Sequence, residues 1–312
     1  MSPRGGDLRA WAESLFSWLV VVLVAGFVAV TAASSLTIPY LAWDSHAYWV
    51  ALRATDPYAG ARVGVIGSFL YPPPFLQLLA PLGRLPWPIF AFGWSALLVA
   101  TAIALLRRVP GRLHWLLPLL VWVAAADIWA GNINVLLAFA VVAAIRHPAL
   151  WPAVGLTKLT PLVGALWHLF RREWRGAALA AGLTAGVVAL SWVGAPTLWS
   201  DWFSNVVFGR PIDGYEQSLP VPLALRLPAA VALVWWGARA GRPVVVPLAC
   251  SLALPVIWLN GGAMALGAAA LVDMRVATAI QTAHSQRPGI ALGELGHYAR
   301  ELGRYARGLG RS

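Results

Sequence analysis

The sequence is nearly without cysteine: Cys250 stands alone, inside an apolar run. A single thiol excludes a disulfide within the chain and any cysteine-based metal site. Charge is scarce as well. Only 11% of the 312 residues are charged and 60% are hydrophobic, whereas average soluble domains carry about 25% charged residues. A water-soluble globule of that composition could not cover its surface with polar groups. The six histidines include no HExxH spacing, and neither a P-loop nor a dinucleotide-binding glycine fingerprint occurs. The net charge is +11, but the basic residues fall in short clusters between apolar runs. Such clusters set membrane topology and touch anionic lipid, and they form no continuous basic face. No nucleic-acid partner is expected.

What the chain has in abundance is apolar stretch. At ~20 residues per crossing, it reads as an all-α, polytopic transmembrane helical bundle with about ten spans, between roughly eight and eleven. Outer-face loops and short juxtamembrane helices complete it. Eighteen tryptophans suit the membrane–water interfaces. The first apolar run covers residues 15–33. It also fits a signal peptide, but its length and the membrane character of all that follows favour a retained span. A polar segment, 36–70, comes next. Tyr71, Pro72, Pro73 and Pro74 then mark the start of a short apolar helix over 75–85, since proline is tolerated at a helix start. Further spans are expected over 87–106, 113–129, 133–145, 150–170, 177–193, 221–238, 244–259 and 263–272, with a second polar loop at 195–219.

Residues 1–273 thus form the membrane domain, with outer loops 36–70 and 195–219, and 274–312 form a basic tail. In that tail Leu295, Tyr298, Leu302, Tyr305 and Leu309 recur at three- and four-residue steps among Arg300, Arg304, Arg307 and Arg311. This is the pattern of an amphipathic helix on the inner membrane surface. With both termini cytoplasmic in a bacterial plasma membrane, residues 171–175, 239–242 and the tail fall inside, as the positive-inside rule requires. Arg107, Arg108 and Arg112 fall outside in the same count, which points to a miscounted short span near 71–85.

Charged side chains inside a bilayer are costly and are functional candidates by default. Asp127 and Lys158 lie within apolar runs, and Asn132 and Asn134 lie at the hairpin between two spans. Asp44 lies just beyond the first span, in the run Trp43, Asp44, Ser45, His46. Its carboxylate suits a general base whose pKa is lifted by partial burial, or the N-cap of the helix that follows. Lys158 suits a phosphate partner, a pair with Asp127, or an interface residue. Asn132 and Asn134 suit a hairpin hydrogen bond or a substrate contact. His46 is the one histidine with a charged neighbour of interest.

Several motifs occur in a fixed order. Asp44 is followed by Tyr48, then by Asp56, Pro57 and Tyr58, then by Phe69, Leu70, Tyr71, Pro72 and Pro73, and then by Leu79, Ala80, Pro81, Leu82, Leu85 and Pro86. Gly131, Asn132, Ile133 and Asn134 come next, and then Lys158 to Pro161 with Arg171 to Arg175, and finally Gln217, Ser218 and Leu219. This ordered set, over roughly residues 15–260, resembles glycosyltransferase family 87, the polyprenyl-phosphate-mannose-dependent mannosyltransferases and their relatives. The resemblance implies a membrane glycosyltransferase of the GT-C type. It implies a polyprenyl-phosphate sugar donor, a lipid or glycan acceptor, and surrounding membrane lipids as partners. It also implies an inverting transfer at the outer face with Asp44 as the base. No cofactor is implied, although some GT-C enzymes use a divalent metal. His46, Tyr48, Asp56, Tyr58, Arg62, Tyr71, Asn132, Lys158, Arg210, Gln217 and Ser218 become the donor- and substrate-binding candidates. In one departure Trp258 is present but the histidine that follows the late family tryptophan is not. Two other classes fit the composition: a transporter or lipid flippase using Asp127 and Lys158, and an inactive relative that acts as a membrane scaffold.

Overall fold

In the computed structural model of the protein, residues 41–65, 67–211 and 221–274 are described, without the side chain of Leu259. The chain divides into two units, Met1–Val272 and Asp273–Ser312. The apolar run at 15–33, Gln217, Ser218 and the tail beyond Met274 lie outside the described residues.

Among the described residues every regular element is helical. They are α1 Trp43–Ala51, α2 Pro73–Leu79, α3 Trp87–Leu106, α4 Leu117–Ala130, α5 Asn134–Arg146, α6 Trp151–Gly155, α7 Leu166–Phe170, α8 Trp174–Gly194, α9 Pro196–Trp202, α10 Leu223–Arg239, α11 Val245–Leu252 and α12 Met264–Leu271. Proline stands in the first turn of α2, α3, α4, α6 and α9, where its missing N–H would have had no helical partner anyway. Gly131 closes α4 at φ 67°, the left-handed conformation that glycine adopts without a Cβ penalty.

Among the described residues three helices are long and apolar enough to cross a membrane: Trp87–Leu106, Gly111–Ala130 and Trp174–Gly194. The count of about ten is not reached among them, because many apolar runs break into short pieces. Residues 150–170 bend at Lys158 between α6 and the 3-10 turn Thr160–Ala165, and α11 and α12 have only eight residues each. At 1.5 Å per residue such pieces cannot span ~30 Å of hydrocarbon alone.

The expected span at 75–85 does not cross. It folds as the seven-residue α2 and the 3-10 turn Ala80–Arg84. Both ends stay beside α1: Phe75 packs edge-on against Tyr48, and the Leu85 carbonyl accepts from Trp49 Nε1 and from Arg53, each at 2.9 Å. This removes one crossing from the count. α3 therefore leaves the α1 end and α4 returns to it. Arg107, Arg108 and Arg112, between α3 and α4, then lie at the far end.

Arg146, Arg171, Arg172 and Arg175 join them there. His168 of α7 reaches the Ala144 carbonyl near the end of α5, and Gly176 at the start of α8 sits against Pro148. α8 then runs back to the α1 end, where Gln77 donates to the Ser191 carbonyl. α10 starts beside residues 252–255 in the α1 half and carries Arg239 and Arg242 to the opposite end. Nine of the described arginines thus gather at one end of the bundle and Asp44 lies at the other.

α5 is the central helix. Val135, Ala138, Val141 and Ala144 are fully buried, and α3, α6, α11 and α12 pack around it. Of the three long spans α8 is the least buried, with Leu190 at 76% and Val193 at 81% exposed. Apolar residues so exposed along a 21-residue helix match a lipid-facing wall.

Candidate active site

α1 is fixed at its first turn. Ala42 precedes it at φ 55°, a left-handed conformation that costs an alanine about 1 kcal/mol or more. That turn is held because the Ala42 N–H donates to the Trp129 carbonyl at 2.9 Å. The helix therefore starts against the end of α4. Gly131 approaches Ser45 so closely that a Cβ there would lie 2.9 Å from the Ser45 Cβ and overlap its hydroxyl. Trp94 Nε1 of α3 donates to the Gly131 carbonyl at 2.9 Å, so three helices hold the turn.

This places Asp44 beside the hairpin between α4 and α5. Asp44 lies in the first turn of α1 and forms no cap, so the capping role does not hold. Its Oδ2 instead accepts the Asn132 amide at 2.6 Å. The other face of that amide, Asn132 Oδ1, accepts the Ile133 N–H at 2.7 Å, the Tyr71 hydroxyl at 3.4 Å and the Lys158 ammonium at 3.2 Å. Lys158, the sole lysine in the sequence, also donates to Asn134 Oδ1 at 2.7 Å. Asn134 Nδ2 in turn donates to Asp127 Oδ1 at 2.8 Å. The result is one line of side chains: Asp44, Asn132, Lys158, Asn134, Asp127.

The expected pairing of Lys158 with Asp127 takes a different form, since Asn134 stands between them. Asp127 is fully buried, whereas Asp44 and Lys158 keep part of their surface open. Burial pushes the Asp44 carboxyl up to about 6, against the opposing pull of the Asn132 amide and the Lys158 ammonium. A carboxylate so tuned can take a proton near neutral pH.

Other candidates line up behind this row. Tyr48 and Tyr71 are buried, and the Tyr48 hydroxyl donates to that of Tyr71 at 2.7 Å. Tyr58 is buried and donates to the Tyr71 backbone carbonyl at 2.9 Å. These three tyrosines brace the site from within. Asp56 is exposed and accepts the Tyr58 N–H at 3.1 Å, closing a tight turn. It lines a depression of about 270 Å³ with Ala47, Ala51 and Phe69.

His46 is not brought to Asp44. Residues two apart on a helix point away from each other, and His46 is exposed, edge-on to Trp87 at 4.8 Å. Arg62 and Arg210 are exposed, and no contact joins either to the row. Among the described residues no group of three His, Cys, Asp or Glu side chains could hold a metal ion.

Two groups carry more than their sequence positions suggested. Asn134, read as a hairpin or substrate-contact residue, and Asp127, read as a direct partner of Lys158, are members of the row, with Asn134 between the acid and the ammonium. Arg226 gave no signal at all. It is buried and donates to the carbonyls of Val221, Leu252, Leu254 and Pro255 at 2.7–3.1 Å. It ties the start of α10 to the bend after α11.

Comparison with known proteins fits this arrangement. A polyprenol-phosphate-mannose-dependent alpha-(1-2)-phosphatidylinositol pentamannoside mannosyltransferase of Mycolicibacterium smegmatis is 31% identical over 143 residues, covering 40% of this chain and 35% of that protein. The chain thus aligns with about a third of the length of that curated relative. No solved structure matches. The model of glycosyltransferase family 87 matches residues 69–281, a stretch that includes Tyr71, Asp127, Asn132, Asn134 and Lys158 and begins after Asp44. Covering more than half of the chain, that match shows that the protein belongs to glycosyltransferase family 87.

Proposed function

We propose that the protein transfers a hexose, most simply mannose, from a polyprenyl-phosphate carrier to a hydroxyl of a lipid or glycan acceptor, with inversion and with Asp44 as general base. The family and the mannosyltransferase relative support the donor class. The observation that carries the reading is the Asn132 amide, which links the Asp44 carboxylate on one side to the Lys158 ammonium on the other. A base and a cation are thereby held at one end of the bundle, both partly open.

In the proposed step the acceptor O–H gives its proton to the Asp44 carboxylate. The acceptor oxygen bonds to the anomeric carbon as the bond from that carbon to the phosphate oxygen breaks. The polyprenyl phosphate leaves with the bonding electrons, and its added charge is met by an ammonium N–H of Lys158. Two of the three N–H groups of that ammonium already have protein acceptors, which leaves one for the phosphate. The step uses protein groups alone. The arginine-rich end faces the cytoplasm by the positive-inside rule, so the site opens on the outer face.

The test is Asp44→Asn in membranes supplied with labelled polyprenyl-phosphate mannose. Loss of a general base should lower transfer by about 10²–10⁴, with insertion and elution volume unchanged. A variant that transfers at the unaltered rate overturns the role of Asp44.

A further inference from the structure

Asp127 is fully buried in α4, and both of its oxygens are engaged. Oδ1 accepts Asn134 Nδ2 and Oδ2 accepts the Val135 N–H, each at 2.8 Å. A carboxylate only accepts hydrogen bonds, so Asn134 must turn its NH2 toward Asp127. Its carbonyl oxygen then faces the other way, where Lys158 donates at 2.7 Å. The same logic applies at Asn132, whose NH2 meets Asp44 and whose oxygen meets Lys158. The ammonium thus rests on two amide oxygens, and a different acid meets the NH2 of each amide. The Ile133 N–H also holds the Asn132 oxygen at 2.7 Å, and the Asn134 NH2 also reaches the Asn260 carbonyl at 3.4 Å.

We propose that Asp127 is a positioning residue for the Lys158 ammonium. It acts through the polarity of Asn134, and so prepares the cation that receives the phosphate of the lipid carrier; the proposal rests on the role given to Lys158 above. Asp127 also caps α5 through Val135, a purely structural task. The two roles separate in Asp127→Asn. An amide oxygen at position 127 still accepts the Val135 N–H. Its NH2, however, now confronts the NH2 of Asn134. Relief comes from rotating Asn134, and that turns a donor toward the ammonium of Lys158. The cap survives while the seat of the cation is lost.

The experiment is binding of polyprenyl phosphate, the sugar-free carrier, to the full detergent-solubilised chain, followed by tryptophan fluorescence. Lys158→Met should weaken binding about tenfold, the scale of one charged hydrogen bond. Asp127→Asn should weaken it comparably, and the double variant should bind no worse than either single one, because residues acting through one contact are not additive. Asn134→Ala leaves the Asp127–Val135 cap in place and should show the same loss, so it serves if Asp127→Asn does not fold. Unaltered affinity in Asp127→Asn or Asn134→Ala, or losses that multiply in the double variant, overturns the proposal. Unaltered affinity in Lys158→Met overturns both it and the phosphate role of Lys158. Loss in Lys158→Met alone leaves that role standing and removes only Asp127.

Discussion

Gly131 meets Ser45 with no room for a side chain: a β-carbon at 131 would overlap the Ser45 hydroxyl. Position 131 also sits at φ 67°. Gly131→Ala therefore combines a steric clash with a disfavoured backbone, and it should destabilise the bundle by about 2–4 kcal/mol. Because the clash separates α1 from the hairpin, it should also part Asp44 from Asn132 and lower transfer at least about tenfold. Thermal unfolding in detergent and a transfer assay together check this.

The acid limb of the pH profile should report Asp44. As a base it works only when ionised, and burial has raised its carboxyl to about 6. Transfer should therefore rise with pH through about 6 and then level, whereas an ordinary carboxylate would place the limb near pH ~4. Asn132→Leu removes an amide that holds the value down, so the limb should move to higher pH as the rate falls. A limb near ~4, or a downward shift in Asn132→Leu, contradicts the assignment.

His46 provides the opposite expectation. It lies on the far side of α1 from Asp44, against Trp87. His46→Ala should keep transfer within about threefold of the parent and leave the acid limb in place, as is usual for a surface change away from the chemistry. A large loss would place His46 in the site.

Sidedness can be read by labelling. With Cys250→Ser as the parent, Ala59→Cys marks the Asp44 end and Gly111→Cys the arginine-rich end. Both positions are exposed. A membrane-impermeant maleimide added to intact cells should modify Ala59→Cys, and should reach Gly111→Cys only after the membrane is opened. The reverse pattern would invert the topology.

Much of the membrane character was legible without a fold. Sparse charge and long apolar runs leave few alternatives, and the three described helices long enough to cross a membrane coincide with runs read from hydropathy. The span at 75–85 failed because hydropathy measures transfer cost and carries no direction. Phe75 and Leu76 are buried against the protein, beside α1 and α8. An apolar helix that covers a bundle end and one that crosses a bilayer look alike in composition. The misplaced arginines at 107–112 were the visible sign of that error.

By itself the sequence determined the solvent of this protein and the order of its motifs, because both depend on residue type and spacing along the chain. It singled out Asp44, Asp127, Asn132, Asn134 and Lys158, since polar groups in apolar runs stand out one at a time. Only the tertiary structure decided that these five form one row and that His46 stands apart from it. It also gave Arg226 its place, which no local pattern announced. The reason is physical. An amide has no preferred direction until its partners are fixed, and the partners of Asn132 and Asn134 lie 88, 26, 24 and 7 residues away.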